Sequence, residues 1–277
     1  MTTKQHNRKT SRKKRRKSPF LGPLRHVPRW MWWSGAVLVA VAYVFVMYVF
    51  MIPSSRPWKA RYSDAGIFYP EGFEISGLDI SHYQGRIDWV KLRNATIKGK
   101  GLRFVIVKST EGKSIFDDCF NDNFYQARQN GFIRGAYHFY SPDVSAEEQA
   151  DWFLRQVHLE EGDLFPVFDV EMKSPHISDE MFKKEIYTWL NRVGSHYGVK
   201  PILYTSYKFK LRYLNDSIFN TYPYWIAHYY VDSLTYSGNW DFWQHTDCGR
   251  VDGIKGMVDL DVFRGTEDEL LELTIKK

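Results

Sequence analysis

Eight short apolar or aromatic runs recur along the second part of the chain, and their spacing restricts the fold more than any other feature. They are Ser76–Ile80, Phe104–Lys108, Ile133–Phe139, Leu164–Val170, Pro201–Tyr204, Tyr224–His228, Asp241–His245 and Met257–Val262. Short runs of this kind, rich in β-branched and aromatic residues, read as strands. Helical patterns lie between several of them. Ser145 with Glu148 forms a capping box ahead of Trp152, Phe153 and Val157. Ser178 caps a helix whose apolar face is Phe182, Ile186, Trp189, Leu190 and Val193, with Gly198 at its end. A third helix carries Phe120, Phe124 and Ala127 and stops at Gly131. Strand and helix alternate, which predicts an α/β chain with a parallel sheet and crossover helices. The count of eight predicts a closed TIM-like (β/α) barrel. The later units are short, so some outer helices are expected to be missing.

In such a barrel the chemistry sits at the C-terminal ends of the strands. Acids fall there repeatedly: Asp79 in the first run, Asp169 and Glu171 in the fourth, Asp259 and Asp261 in the eighth. Asp169 and Glu171 are two residues apart in an extended segment, so their side chains share a face. Two carboxylates in one spot raise the proton affinity of one member. A protonated acid then stands beside an ionised partner, as glycosidic bond cleavage requires. The first and eighth strands are neighbours in a closed barrel, so all three sets of acids can surround one pocket.

The stretch Gly77-Leu78-Asp79-Ile80-Ser81-His82-Tyr83-Gln84-Gly85-Arg86-Ile87-Asp88-Trp89 resembles the opening signature of glycoside hydrolase family 25, the lysozymes that cut bacterial peptidoglycan. Further matches follow in order: Phe104–Gly112, Gly135–Phe139, Phe168–Glu171, Pro201–Thr205, Trp225–Ala227, Phe242–Gln244 and Val258–Phe263. The resemblance spans about Ile75 to Gly265. It implies that Glu171 is the general acid, that Asp169 stabilises positive charge developing on the sugar, and that Asp79 and Asp259 complete the acidic cluster. It also implies that Lys108, Tyr137, Tyr204, Trp225 and Gln244 line the sugar site. Tyr and Trp suit that task physically, with flat apolar faces and a polar edge. Asp261 departs from the family pattern, in which many members carry Asn. Family 18 chitinases also end the fourth strand in Asp-x-Glu, but place further aspartates two and five positions earlier. Those positions are Val167 and Leu164 here. A catalytically dead barrel that only binds wall glycan is a further alternative, and retention of all four acids argues against it.

The N-terminal part has a different character. Trp30–Ile52 is a run of 23 residues without a charge, enough at about 1.5 Å per residue to cross a hydrocarbon core of about 30 Å. Met1–Arg29 precedes it with eleven Lys or Arg and no acid. The expected organisation is a cytoplasmic basic tail at 1–29, a membrane helix at 30–52, a linker at 53–74 and an exported enzyme domain at 75–277. The run is longer than a signal-peptide core, and Pro53-Ser54-Ser55 supplies no small-x-small cleavage site. Residues 1–63 hold fourteen of the 38 Lys and Arg and none of the 32 acids, so the remainder carries 24 basic against 32 acidic residues, a net of −8. The basic sequence pI of about 9.1 thus reflects topology, and no nucleic-acid partner is expected. Expected partners are peptidoglycan strands and the membrane, with a monomeric catalytic domain. Cys119 and Cys248 belong to units that are not neighbours around a barrel, and two free thiols are expected. The histidines form no metal-ligand spacing, and acid-assisted glycoside hydrolysis needs neither metal nor cofactor.

Overall fold

The first unit to consider is the short apolar one. The computed structural model describes residues 28–51, 69–236 and 238–276, and the chain divides into two units, Met1–Lys59 and Ala60–Lys277. In the first, helix α1 runs through Arg29–Met51. The basic tail through residue 27, Ile52 and the linker through residue 68 lie outside the described residues, as do several α1 side chains. Among the described residues no helix is long and apolar enough to cross a membrane, so the anchor reading rests on sequence.

In the second unit all eight expected runs are strands. They are β1 (Ile75–Ile80), β3 (Lys100–Glu111), β5 (Ile133–Phe139), β6 (Val167–Asp169), β7 (Ile202–Ser206), β8 (Tyr224–Ala227), β9 (Phe242–Gly249) and β10 (Val258–Phe263). Two-residue strands β2 (Thr96–Ile97) and β4 (Ile115–Phe116) pair only with β3. The order β1-β10-β9-β8-β7-β6-β5-β3 closes through a β1–β3 pairing. Between strands lie α2 (Trp89–Asn94), α3 (Phe120–Gln129), α4 (Ala146–Gln156), α5 (Asp179–Tyr197) and α6 (Tyr207–Tyr213), with α7 (Glu267–Glu272) after the barrel. Among the described residues no helix separates β8 from β9 or β9 from β10, which is the expected loss of outer helices.

One expectation is corrected. β10 is antiparallel to both its neighbours, β9 and β1, whereas a fully parallel sheet was expected. A parallel crossover needs a dozen or more residues, and residues 250–257 are too few, so the chain returns as a hairpin. The fourth run is also shorter than expected. Pro166 lacks an N–H for the ladder, and the residues before it pair elsewhere: Leu164 bridges Thr274 and Phe165 N–H donates to the Leu273 carbonyl at 2.8 Å.

Strand alternation separates two apolar layers. Inward residues such as Phe104, Ile106, Val167, Ile202 and Phe242 fill the barrel, and outward ones such as Val105, Phe168, Leu203 and Trp243 pack with the helices. Gly77 is required here, since a Cβ on it would lie 2.4 Å from the Phe104 ring that fills the floor. The helices follow their local signals. Ser178 accepts the Met181 N–H, and Gly198 ends α5 in a left-handed conformation at φ 69°. Ser145 caps α4 through the Glu148 N–H, and α4 buries Gln149 as well as Phe153, with Trp152 only partly covered.

Candidate active site

The strand pairings carry the polar residues around one rim. Lys108 pairs with Tyr137, Asp169 with Tyr204, Tyr204 with Trp225, Ala227 with Gln244, Gln244 with Asp261, and Asp79 with Asp259. All share the inward parity. Asp259 stands at the start of β10, not at its C-terminal end as expected. Because β10 runs antiparallel, that end lies beside the C-terminal end of β1, and Asp259 still joins Asp79.

β6 ends at Asp169, yet Glu171 leaves the sheet from a fixed point. The Val170 N–H donates to the Tyr204 carbonyl at 3.0 Å, and the Val170 carbonyl accepts Thr205 Oγ1 at 2.7 Å. Asp169 is 6% exposed, and its Oδ1 is buried with no hydrogen-bond partner in the protein. Burial pushes the Asp169 carboxyl well above the usual carboxylate range; the charges of Glu171 and Asp79 add to this and Lys108 opposes it. Glu171 is reached by solvent at the mouth, and the protein crowded around its carboxyl raises its pKa, with the neighbouring Tyr204 opposing the rise.

A second network lies beneath. Gln244 Nε2 donates to Asp79 Oδ2 at 2.5 Å, while Gln244 Oε1 accepts the hydroxyls of Tyr204 at 2.7 Å and Tyr229 at 2.5 Å. Trp225 Nε1 donates to Asp261 Oδ1 at 2.7 Å, and Asp261 Oδ2 is buried without a partner. Asp79 and Asp261 are hydrogen-bond neighbours, and both are held well above the carboxylate range, first by burial. Tyr137 faces Asp79, Asp169 and Asp259, and burial with those charges keeps its phenol protonated. Lys108 is tied to Glu111 at 2.6 Å.

All nine sequence-predicted site residues therefore converge. Trp225 and Gln244 are each only 2% exposed, so they build the floor rather than offer surface to a ligand. Tyr229 and Glu111 were not anticipated. Tyr229 continues the parity of Trp225 and Ala227, and that alternation was the available signal. Val167 and Leu164, where a chitinase pattern would place aspartates, fill the apolar interior. Among the described residues no group of three or more His, Cys, Asp or Glu side chains is placed to hold a metal ion. Cys119 and Cys248 are free thiols.

A barrel with one rim of carboxyls whose proton affinity is raised, backed by buried phenols, has the chemistry of the glycoside hydrolases that work by acid catalysis. The family model for glycosyl hydrolases family 25 matches residues 78–254, and the chain belongs to that family. It is 43% identical over 202 residues to the uncharacterized protein YegX of Escherichia coli K12, covering 73% of this chain and 74% of that one. It is 32% identical over 213 residues to Lysozyme M1 of Streptomyces globisporus, covering 72% and 71%. A family 25 glycosyl hydrolase structure from Bacillus anthracis superimposes with a TM-score of 0.67 at 31% identity, covering 75% of this chain and 97% of that one.

Proposed function

We propose that the protein hydrolyses the β-1,4 bond from N-acetylmuramic acid to N-acetylglucosamine in peptidoglycan, with retention of configuration. The observation that carries the reading is the pairing of solvent-reached Glu171 with buried Asp169 on one face at the rim. Glu171 has its proton affinity raised at the place a glycosidic oxygen can reach, which suits proton donation to the leaving group. Asp169 has an oxygen without a protein donor, which leaves it the acceptor for the N–H of a substrate 2-acetamido group. The acetamido oxygen would then attack the anomeric carbon as Glu171 releases its proton to the departing sugar. This substrate-assisted route belongs to the exceptions to a protein nucleophile. Asp79 and Asp259 hold the sugar and bias the other two acids.

The test is digestion of purified peptidoglycan with mass spectrometry of the new reducing ends. A muramidase leaves N-acetylmuramic acid there. N-acetylglucosamine at that end, or no release, would refute the reading.

The same proposal places the enzyme outside the cytoplasm on a single-pass anchor. Its support is the charge-free run Trp30–Ile52, the eleven basic residues ahead of it and a backbone that is helical over Arg29–Met51.

A further inference from the structure

The turn after β1 holds a ring that the reaction does not use. Tyr83 is 82% exposed, yet its surroundings are fixed. The 3₁₀ turn His82–Gln84 is closed by a capping box between Ser81 and Gln84. The His82 backbone N–H and ring Nδ1 lie 3.0 and 2.7 Å from the same oxygen of Asp117, whose side chain has no solvent exposure. The His82 ring in turn lies against Tyr83, with centroids 4.1 Å apart and 36° between planes. One face of Tyr83 is thus backed by an anchored ring.

The turn is also tied to the start of the neighbouring strand β10. Gln84 Nε2 donates to the Met257 carbonyl at 3.3 Å, two residues before Asp259, and Met257 is itself 50% exposed. Tyr83 follows Asp79 by four residues, in a turn bonded to the residue two before Asp259. A lone exposed aromatic is ordinary. A pre-ordered one loses little entropy on binding and offers its flat apolar face to whatever passes. A glycan strand bound across the Asp79–Asp259 rim would carry sugar rings toward this turn, and the C–H face of a sugar ring suits an aromatic face.

We propose that Tyr83 is a stacking platform for a sugar ring of the glycan strand, on the β1–β10 side of the cleft and at least one sugar away from the cleaved bond. The inference rests on the muramidase reading.

The experiment measures KM and kcat of the full chain in detergent on peptide-free glycan strands of graded length and on intact peptidoglycan, for wild type, Tyr83→Ala and Tyr83→Phe. Tyr83→Ala should raise KM on long strands by roughly three- to tenfold, the effect of one aromatic contact, and the rise should shrink as strands shorten. Tyr83→Phe keeps the ring and should restore the wild-type KM. An unchanged KM in Tyr83→Ala on long strands overturns the platform. So does a defect seen on intact peptidoglycan but absent on peptide-free strands, which would assign Tyr83 to the stem peptide, or a loss of kcat on every substrate that Phe fails to restore. Wild-type enzyme that cleaves no strand would instead refute the muramidase reading.

Discussion

Asp79 and Asp261 meet on the inner face of the antiparallel β1–β10 pair, and their energetics follow from the burial of two neighbouring carboxyls. Their folded-state pKa values are raised, as is that of Asp169. The native state therefore binds more protons than the unfolded chain above the ordinary carboxylate value of about 3.9, and stability falls as pH rises through the raised values. Asp261→Asn keeps an acceptor for Trp225 Nε1 and gives Asp79 a neutral amide donor. It should stabilise the domain by about 1–2 kcal/mol at pH 8, since tenfold in proton affinity is about 1.4 kcal/mol, and change little near pH 4. Thermal melts at both pH values check this, and an equal shift at both would contradict raised proton affinities in this pair. At the mouth, Glu171→Gln removes the transferable proton and should lower peptidoglycan turnover by at least about 10²-fold. Asp169→Asn should lose activity through poorer charge stabilisation, so an aryl glycoside with a good leaving group should rescue Glu171→Gln more than Asp169→Asn.

At the scale of elements, what lies behind β6 matters as much as its rim. The Trp189 ring of α5 stacks on Phe168 at 4.0 Å and 6°, on the face of β6 opposite Asp169, and Trp189 Nε1 is buried without a partner. Trp189→Ala should cost about 3–5 kcal/mol through the cavity it leaves. Trp189→Phe keeps most of the packing and removes the unpartnered donor, so it should cost less than half as much; urea titrations of both variants measure the difference. α3, α4 and α5 were legible in sequence because caps and 3.6-residue periodicity are local. The direction of β10 was not, because the period of a strand is the same whichever way it runs. Only the short connection at 250–257 carried that information. The site was legible as residue types at strand ends: Asp79 and Asp169 lie at the C-terminal ends of β1 and β6, whereas Asp259 lies at the start of β10 and reaches the same rim only because that strand is reversed. Which oxygens lack donors, and that Trp225 lies underneath rather than alongside a ligand, depend on depth in the barrel, which spacing does not encode.

For the whole molecule, charge divides along the same line as architecture. Residues 1–63 hold fourteen basic side chains and no acid, and the remainder carries a net of −8. Eleven of the fourteen basic residues precede the charge-free run Trp30–Ile52, and a basic flank orients such a run with itself on the cytoplasmic side. An enzyme for wall glycan must also reach substrate that lies beyond the membrane. A reporter fused after Lys277 that is active only outside the cytoplasm should therefore be active, and protease added to intact spheroplasts of a bacterial host should remove the C-terminal domain. Replacing the basic residues of Arg12–Lys17 by Gln weakens the orienting bias, so a fraction of the chains should then become protected. Full protection of the domain in the unaltered protein would overturn the topology while leaving the barrel and its acids untouched.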